Sequence, residues 1–241
     1  MAELVPLRPA AVLEAWEGGL AQGTVERALT LLALAMPGAT RDALADLSIG
    51  RRDALLLELR TRSFGPTAPC VVRCPRCEET LEFPVRLPDL RVPAPAAAEA
   101  VVTFGDLRLR VRPATSRDLL TIAGAADPVR ALLERCVTAE RASAGDPAAV
   151  PAEAAELVAA EMARLDPQAD VRFDLSCAAC GAAWTTVFDV VSYLWREIEA
   201  EARRLMAEVD ALARTYCWSE LTILEMSRPR RLAYLRLAGA A

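Results

Sequence analysis

Cys74-Pro75-Arg76-Cys77 and, about a hundred residues later, Cys177-Ala178-Ala179-Cys180 are the stretches that decide how this chain folds. Each C-x-x-C turns two sulfurs toward one point, so the two pairs together offer the tetrahedral cage of a structural four-cysteine zinc site. Their surroundings repeat as well. Four and eight places after the second cysteine of each pair stand Leu81 and Val85, and Trp184 and Phe188, with Val71-Val72 and Phe173 to Leu175 leading in. This reads as strand, knuckle, strand, written twice: a zinc ribbon split into two β-hairpin halves. Gly181, just after the second pair, takes the φ > 0 that a thiolate-cradling turn needs; Glu78 stands at the same place in the first knuckle, which is therefore the less ideal one.

Closing a loop of this length costs about 4 kcal/mol in chain entropy, and structural zinc contributes on the order of 10–16 kcal/mol. The metal can carry that closure. The chain has no histidine and the four sulfurs leave no open coordination position, so the site reads as structural rather than catalytic. A rubredoxin-like iron centre, or disulfide and redox-active pairs, would use the same four residues. Of the other cysteines, Cys70 shares a strand face with Cys74 and reads as a strand residue rather than a spare ligand, and Cys136 follows Leu132 and Leu133 at helical spacing as a core residue. Seven cysteines, an odd number, and no signal peptide after Met1-Ala2-Glu3 point to a reducing cytoplasm.

The expected fold class is α+β and mostly helical. Residues 1–66 form an N-terminal helical region, with Thr24 capping a helix to Met36 and Ser48 capping a leucine-rich one that ends at Gly65-Pro66. Residues 67–90 hold the first half of the ribbon and 170–189 the second. Between them, 91–169 is an insertion: a β-hairpin around Gly105-Asp106, then helices at 116–124 behind Ser116, 128–139 opening with Pro128, and 151–165 opening with Pro151, with Ala142 to Pro147 as a loop open to proteolysis. Residues 190–241 hold a long helix behind Asp189, whose Leu194, Ile198, Leu205, Val209, Leu212 and Tyr216 recur at helical spacing, and two short helices. That apolar face is expected to pack within the molecule, the other reading being that part of it also presents surface to a partner.

All 28 basic residues are arginine, and lysine and asparagine are absent along with histidine. Without lysine there is no P-loop phosphate lysine and no Schiff base; without histidine there is no Ser-His or Cys-His pair. No enzyme is expected. The net charge of −5 gives no general attraction to nucleic acid or an anionic surface, and no apolar run is long enough to cross a bilayer. One competing reading is a zinc-ribbon, helix-turn-helix regulator using Arg228, Arg230, Arg231 and Arg236 as phosphate contacts.

Tyr193 to Ile198, Leu212 to Glu220 with Tyr216-Cys217-Trp218 at its centre, Ile223-Leu224, and Arg230 to Leu235 together resemble the baseplate hub assembly chaperone family of contractile-tailed, T-even-type bacteriophages, whose relatives occur in extracellular contractile injection systems. Ser48 to Leu57 and the cysteine pairs join the pattern in order. The family pattern has a glycine between the tyrosine and tryptophan, where this chain has Cys217. The resemblance implies a non-enzymatic assembly factor acting in the bacterial cytoplasm on hub, tape-measure or other tail and baseplate proteins, or else a permanent baseplate subunit of the particle. Trp218, Tyr234, Arg230 and Arg231 are the candidates to touch a partner, with core packing the favoured reading of the two aromatic residues.

Overall fold

Local chemistry starts each helix of the N-terminal region. In the computed structural model, which describes residues 3–93, 95, 97–141 and 147–239, Pro9 opens α1 (Pro9–Gly19), where its missing N–H costs nothing. At α2 (Thr24–Ala35) the cap is Gly23 rather than the expected Thr24, because Glu26 reaches back to accept the Gly23 N–H at 3.0 Å. Thr40 caps the short α3 (Arg41–Ala45). Ser48 caps α4 (Ile49–Phe64) as read, its Oγ accepting from the Arg51 N–H at 3.2 Å. The leucine stripes of α2 and α4, Leu29, Leu31, Leu32, Leu56, Leu57 and Leu59, are buried against one another.

β1 (Thr67–Arg73) and β2 (Thr80–Arg86) form the first two-stranded hairpin. The insertion follows. β3 (Ala100–Phe104) and β4 (Leu107–Val111) pair as read, and Thr115, not Ser116, caps α5 (Ser116–Ile122) in a reciprocal box with Asp118. α6 (Pro128–Cys136) stops three residues earlier than expected. Val137–Arg141 is β5, running antiparallel to β4 with Val137 opposite Val111. A short β6 (Pro147–Ala148) completes a sheet of order β3-β4-β5-β6, covered by α7 (Ala155–Leu165), which a 3-10 turn, Ala152–Ala154, precedes. The Val137 stretch went to a strand because the core face of β4 needed a neighbour, a tertiary demand that overrides local helical spacing. Residues 142–146, most of the expected loop, lie outside the described residues.

The insertion is anchored on the start of α4. The Ile49 N–H donates to Ala114 O at 3.0 Å, and Asp166 accepts from Ser48 Oγ at 3.1 Å and from the Gly50 N–H at 2.7 Å. A Cβ on Gly50 would lie 2.3 Å from Asp166 Oδ1 and 2.8 Å from the Ala169 nitrogen, so only glycine permits this approach. Gln168 adds a second tie, accepting from the Val92 N–H and donating to Leu90 O.

β7 (Arg172–Ser176) and β8 (Ala183–Val187) make the second hairpin. Asp189 then caps α8 (Val190–Tyr216) through the Ser192 N–H at 3.0 Å. The α8 face of Leu194, Trp195, Ile198, Ala202 and Leu205 is buried in one core with the leucines of α2 and α4. Its far end packs Leu212 on Ile223 and Leu235 of α9 (Glu220–Glu225) and α10 (Arg228–Leu237). Between α8 and α9 stands Cys217 at φ 56°, ψ 28°, a left-handed conformation that glycine takes without strain and cysteine does not.

Candidate metal centre

The two knuckles are built alike down to their backbone hydrogen bonds. In the first, the Cys74 N–H donates to Glu79 O and the Glu78 N–H returns to Cys74 O; in the second, the Cys177 N–H donates to Ala182 O and the Gly181 N–H returns to Cys177 O. The repeat explains the backbone. Glu78 sits at φ 60° and Gly181 at φ 69°, so the first knuckle adopts the positive φ without a glycine to ease it.

The hairpins bring all four sulfurs together. Cys74 Sγ lies 3.6 Å from Cys180 Sγ and Cys77 Sγ lies 3.6 Å from Cys177 Sγ, with all four within 4.8 Å of one another. Disulfide sulfurs sit about 2.05 Å apart, whereas metal–sulfur bonds of about 2.3 Å in a tetrahedron put their sulfurs about 3.8 Å apart. The spacing fits four ligands around one ion. Cys74 and Cys177 are buried, Cys180 half-buried and Cys77 exposed, so the cage closes toward the protein and presents one edge to solvent. Cys70 is buried on β1 and does not join the group.

Electrostatics favour the same occupant. Burial opposes ionisation of Cys74, but backbone N–H donors from Arg76 and Cys77 and the Cys180 thiol hold it down to about 7. Cys77, despite a backbone N–H from Glu79, is pushed up to about 12 by its neighbouring sulfurs. Crowded thiols cannot all ionise side by side without a cation, and a metal ion supplies it. Away from the cage, burial pushes Cys136 up to about 11, in keeping with a core residue.

Two devices seat the hairpins on the helical core, and neither was read from the sequence. Arg60 of α4 forks onto Glu197 of α8 at 2.6 and 2.8 Å and also donates to Gly65 O and Thr67 O where β1 begins. Phe83, Phe173, Phe188 and Tyr193 form a chain of ring contacts, with centroids 5.4 to 5.9 Å apart, from β2 through β7 to α8. Tyr193 Oη donates to Pro69 O at 3.1 Å. In the sequence Arg60 is one arginine among 28, with nothing local to mark its partner.

Residues 26–139 match the family model of the T4 bacteriophage base plate protein. The matched stretch, a little under half of the chain, runs from α2 through the first knuckle to β5, and holds Ser48 to Leu57, one of the stretches that carried the baseplate resemblance. The base plate family match stops before the second cysteine pair and the C-terminal helices. No curated protein matches the chain, and no solved structure does.

The four residues expected to touch a baseplate partner are placed differently from one another. Trp218 and Tyr234 are half-buried and pack with Tyr216 in an aromatic cluster, Trp218 stacked on Tyr216 at 4.5 Å and edge-on to Tyr234 at 4.8 Å. Arg230 is exposed and lies over the Tyr234 ring. Arg231 is a correction. Its side chain is 2% exposed, with Nε on Glu208 at 2.8 Å and Nη1 on Met226 O at 2.6 Å, so its charge is engaged inside the fold and is open neither to a partner nor to phosphate. Glu208, also paired with Arg204, was the unseen counterpart. Among the described residues no helix is long and apolar enough to cross a membrane.

Proposed function

We propose that this protein is a non-enzymatic assembly factor for the baseplate of a contractile phage tail or a phage-derived contractile injection system, working in the bacterial cytoplasm with a structural zinc at Cys74, Cys77, Cys177 and Cys180. The observation that carries this reading is the base plate family match over residues 26–139, which meets the resemblance read from the sequence over Ser48 to Leu57. The absence of histidine and lysine from the chain supports a role without catalysis. Its partners are hub, tape-measure or other tail and baseplate proteins, met through surfaces rather than through a reaction site.

A second reading is a permanent baseplate subunit, favoured by the family's own description as a base plate protein. Particle composition separates the two. Deleting the gene and finding no assembled baseplates, with the protein missing from purified wild-type particles, supports the assembly factor; stoichiometric presence in washed particles supports the subunit. Normal particles from the deletion strain refute both.

A further inference from the structure

Beside the metal cage, the two hairpins leave a groove of about 400 Å³ whose walls are the outer edge of β1, the outer edge of β8 and the flank of α8. Backbone parity fixes what those edges offer. Thr67 O accepts from Arg60 and Pro69 O from the Tyr193 hydroxyl, so these odd-numbered carbonyls point away from β2. In an antiparallel ladder the direction alternates, and Val71, the next odd residue, therefore turns both its N–H and its C=O outward. The same counting holds on the other side. Phe188 N–H donates to Val171 O and Cys177 N–H to Ala182 O, which places Thr185 and Val187 at the rungs whose polar groups face away from β7. Among the described residues none of these outward groups of Val71, Thr185 and Val187 has a hydrogen-bond partner.

The side chains at these edges are apolar where a solvent-facing edge is usually charged. Val71 is 60% and Val187 56% exposed, while Val72, Phe173, Phe188 and Tyr193 line the groove between them. Its charges are unequal. Glu197 is committed to Arg60 and Asp189 to the cap of α8, whereas Arg196 has no carboxylate partner among the described residues and donates only to Ser192 O. Arg196 is thus the lining cation without an ion pair, and Asp189, which also lines the groove, turns its carboxylate to the Ser192 N–H and hydroxyl. Main-chain groups left open at Val71, Thr185 and Val187, an apolar floor too small for a folded domain, and one guanidinium without a carboxylate partner are complementary to an extended segment with alternating apolar side chains and an acidic residue.

We propose that this groove binds an extended, acidic peptide segment of a tail or baseplate protein by strand addition to the β1 edge, with Val71 exchanging main-chain hydrogen bonds and Arg196 reading the acidic side chain. The proposal rests on the baseplate reading for the source of the segment. Strand addition beside the cage also gives the metal a second consequence: by holding the hairpins together it keeps the two walls of the groove apart at a fixed distance.

The test is an array of overlapping synthetic peptides covering the tail and baseplate proteins of the same particle, probed with the full-length, metal-loaded protein and followed by fluorescence anisotropy on the peptides retained. Val71→Pro deletes one outward N–H without removing a β1–β2 hydrogen bond, and is expected to weaken binding at least about five-fold. Arg196→Glu, on an exposed helix position, is expected to weaken it comparably, and N-methylation of alternate peptide amides to abolish it. Metal content and circular dichroism of both variants are measured alongside, and Arg196→Glu stands as the test should Val71→Pro lose its metal. An array with no peptide retained overturns the proposal, as does binding indifferent to Arg196→Glu and to N-methylation. A silent array combined with failed assembly on gene deletion removes the groove and leaves the assembly reading; binding peptides combined with normal particles does the reverse.

Discussion

Removing the metal should unfold the two ribbon hairpins and little else. Cys77 and Cys177 stand 100 positions apart, and closing such a loop by one clasp alone would cost about 4 kcal/mol. The fold does not ask this of the metal. Asp166 on Ser48 and Gly50 already holds the insertion to the helical core, Gln168 on Leu90 and Val92 ties its two ends together, and Arg60 on Glu197 joins the helices on which the hairpins sit. What an ion at the four sulfurs would uniquely stabilise is a pair of two-stranded hairpins, each marginal by itself. Of the 10–16 kcal/mol that structural zinc provides in small peptides, the share not consumed in ordering the knuckles appears as protection of β1, β2, β7 and β8. Amide hydrogen exchange with and without a strong chelator should therefore show residues 67–86 and 172–187 losing protection by about a thousand-fold or more, equivalent to about 4 kcal/mol, while Leu109, Val111 and Val158 of the insertion keep theirs. Cys177→Ser should give the same map. Protection lost throughout residues 100–165 would refute the reasoning, because the insertion would then hang from the clasp alone. Metal below about a tenth of an equivalent in protein prepared without chelator would remove the site itself.

Other consequences are open to direct measurement. Glu208→Ala strands the buried Arg231 and should cost about 3–5 kcal/mol in chemical denaturation, whereas Glu208→Leu with Arg231→Met should recover most of it; equal losses in both would deny that the charge is sequestered. Cys217→Gly relieves a left-handed residue and should raise stability by about 1 kcal/mol, and a loss there would mean that the cysteine makes a contact worth more than the strain. Burial pushes the Asp118 carboxyl up, but hydrogen bonds from Arg112, Thr115 and Arg135 more than offset it and hold the group well below the usual carboxylate range. Its stabilisation is present above the unfolded value near 4 and lost as pH falls toward the folded one. Asp118→Asn should thus cost about 2 kcal/mol or more at neutral pH, and the gap from the parent protein should narrow below about pH 4; a gap independent of pH would contradict that assignment.

The two C-x-x-C pairs announced the meeting of the four sulfurs in advance, because a knuckle that turns two thiols toward one point is a local structure. The helix starts at Ser48 and Asp189 were equally plain, since a cap satisfies N–H groups two or three residues away. The positive φ at residue 78 and the hairpin register around Gly105 came from the same short range, whereas the missing glycine at 217 was marked by the family resemblance. Only the assembled molecule decided the rest. Val137–Arg141 left its helix for a strand because β4 lay beside it, Arg231 turned from a surface charge into a buried one because Glu208 stood one helix away, and Arg60 found Glu197 across 137 residues. Each of those outcomes depends on which surface arrives next to a residue, and that is fixed by packing among distant segments, on which the neighbouring letters of a sequence carry no information.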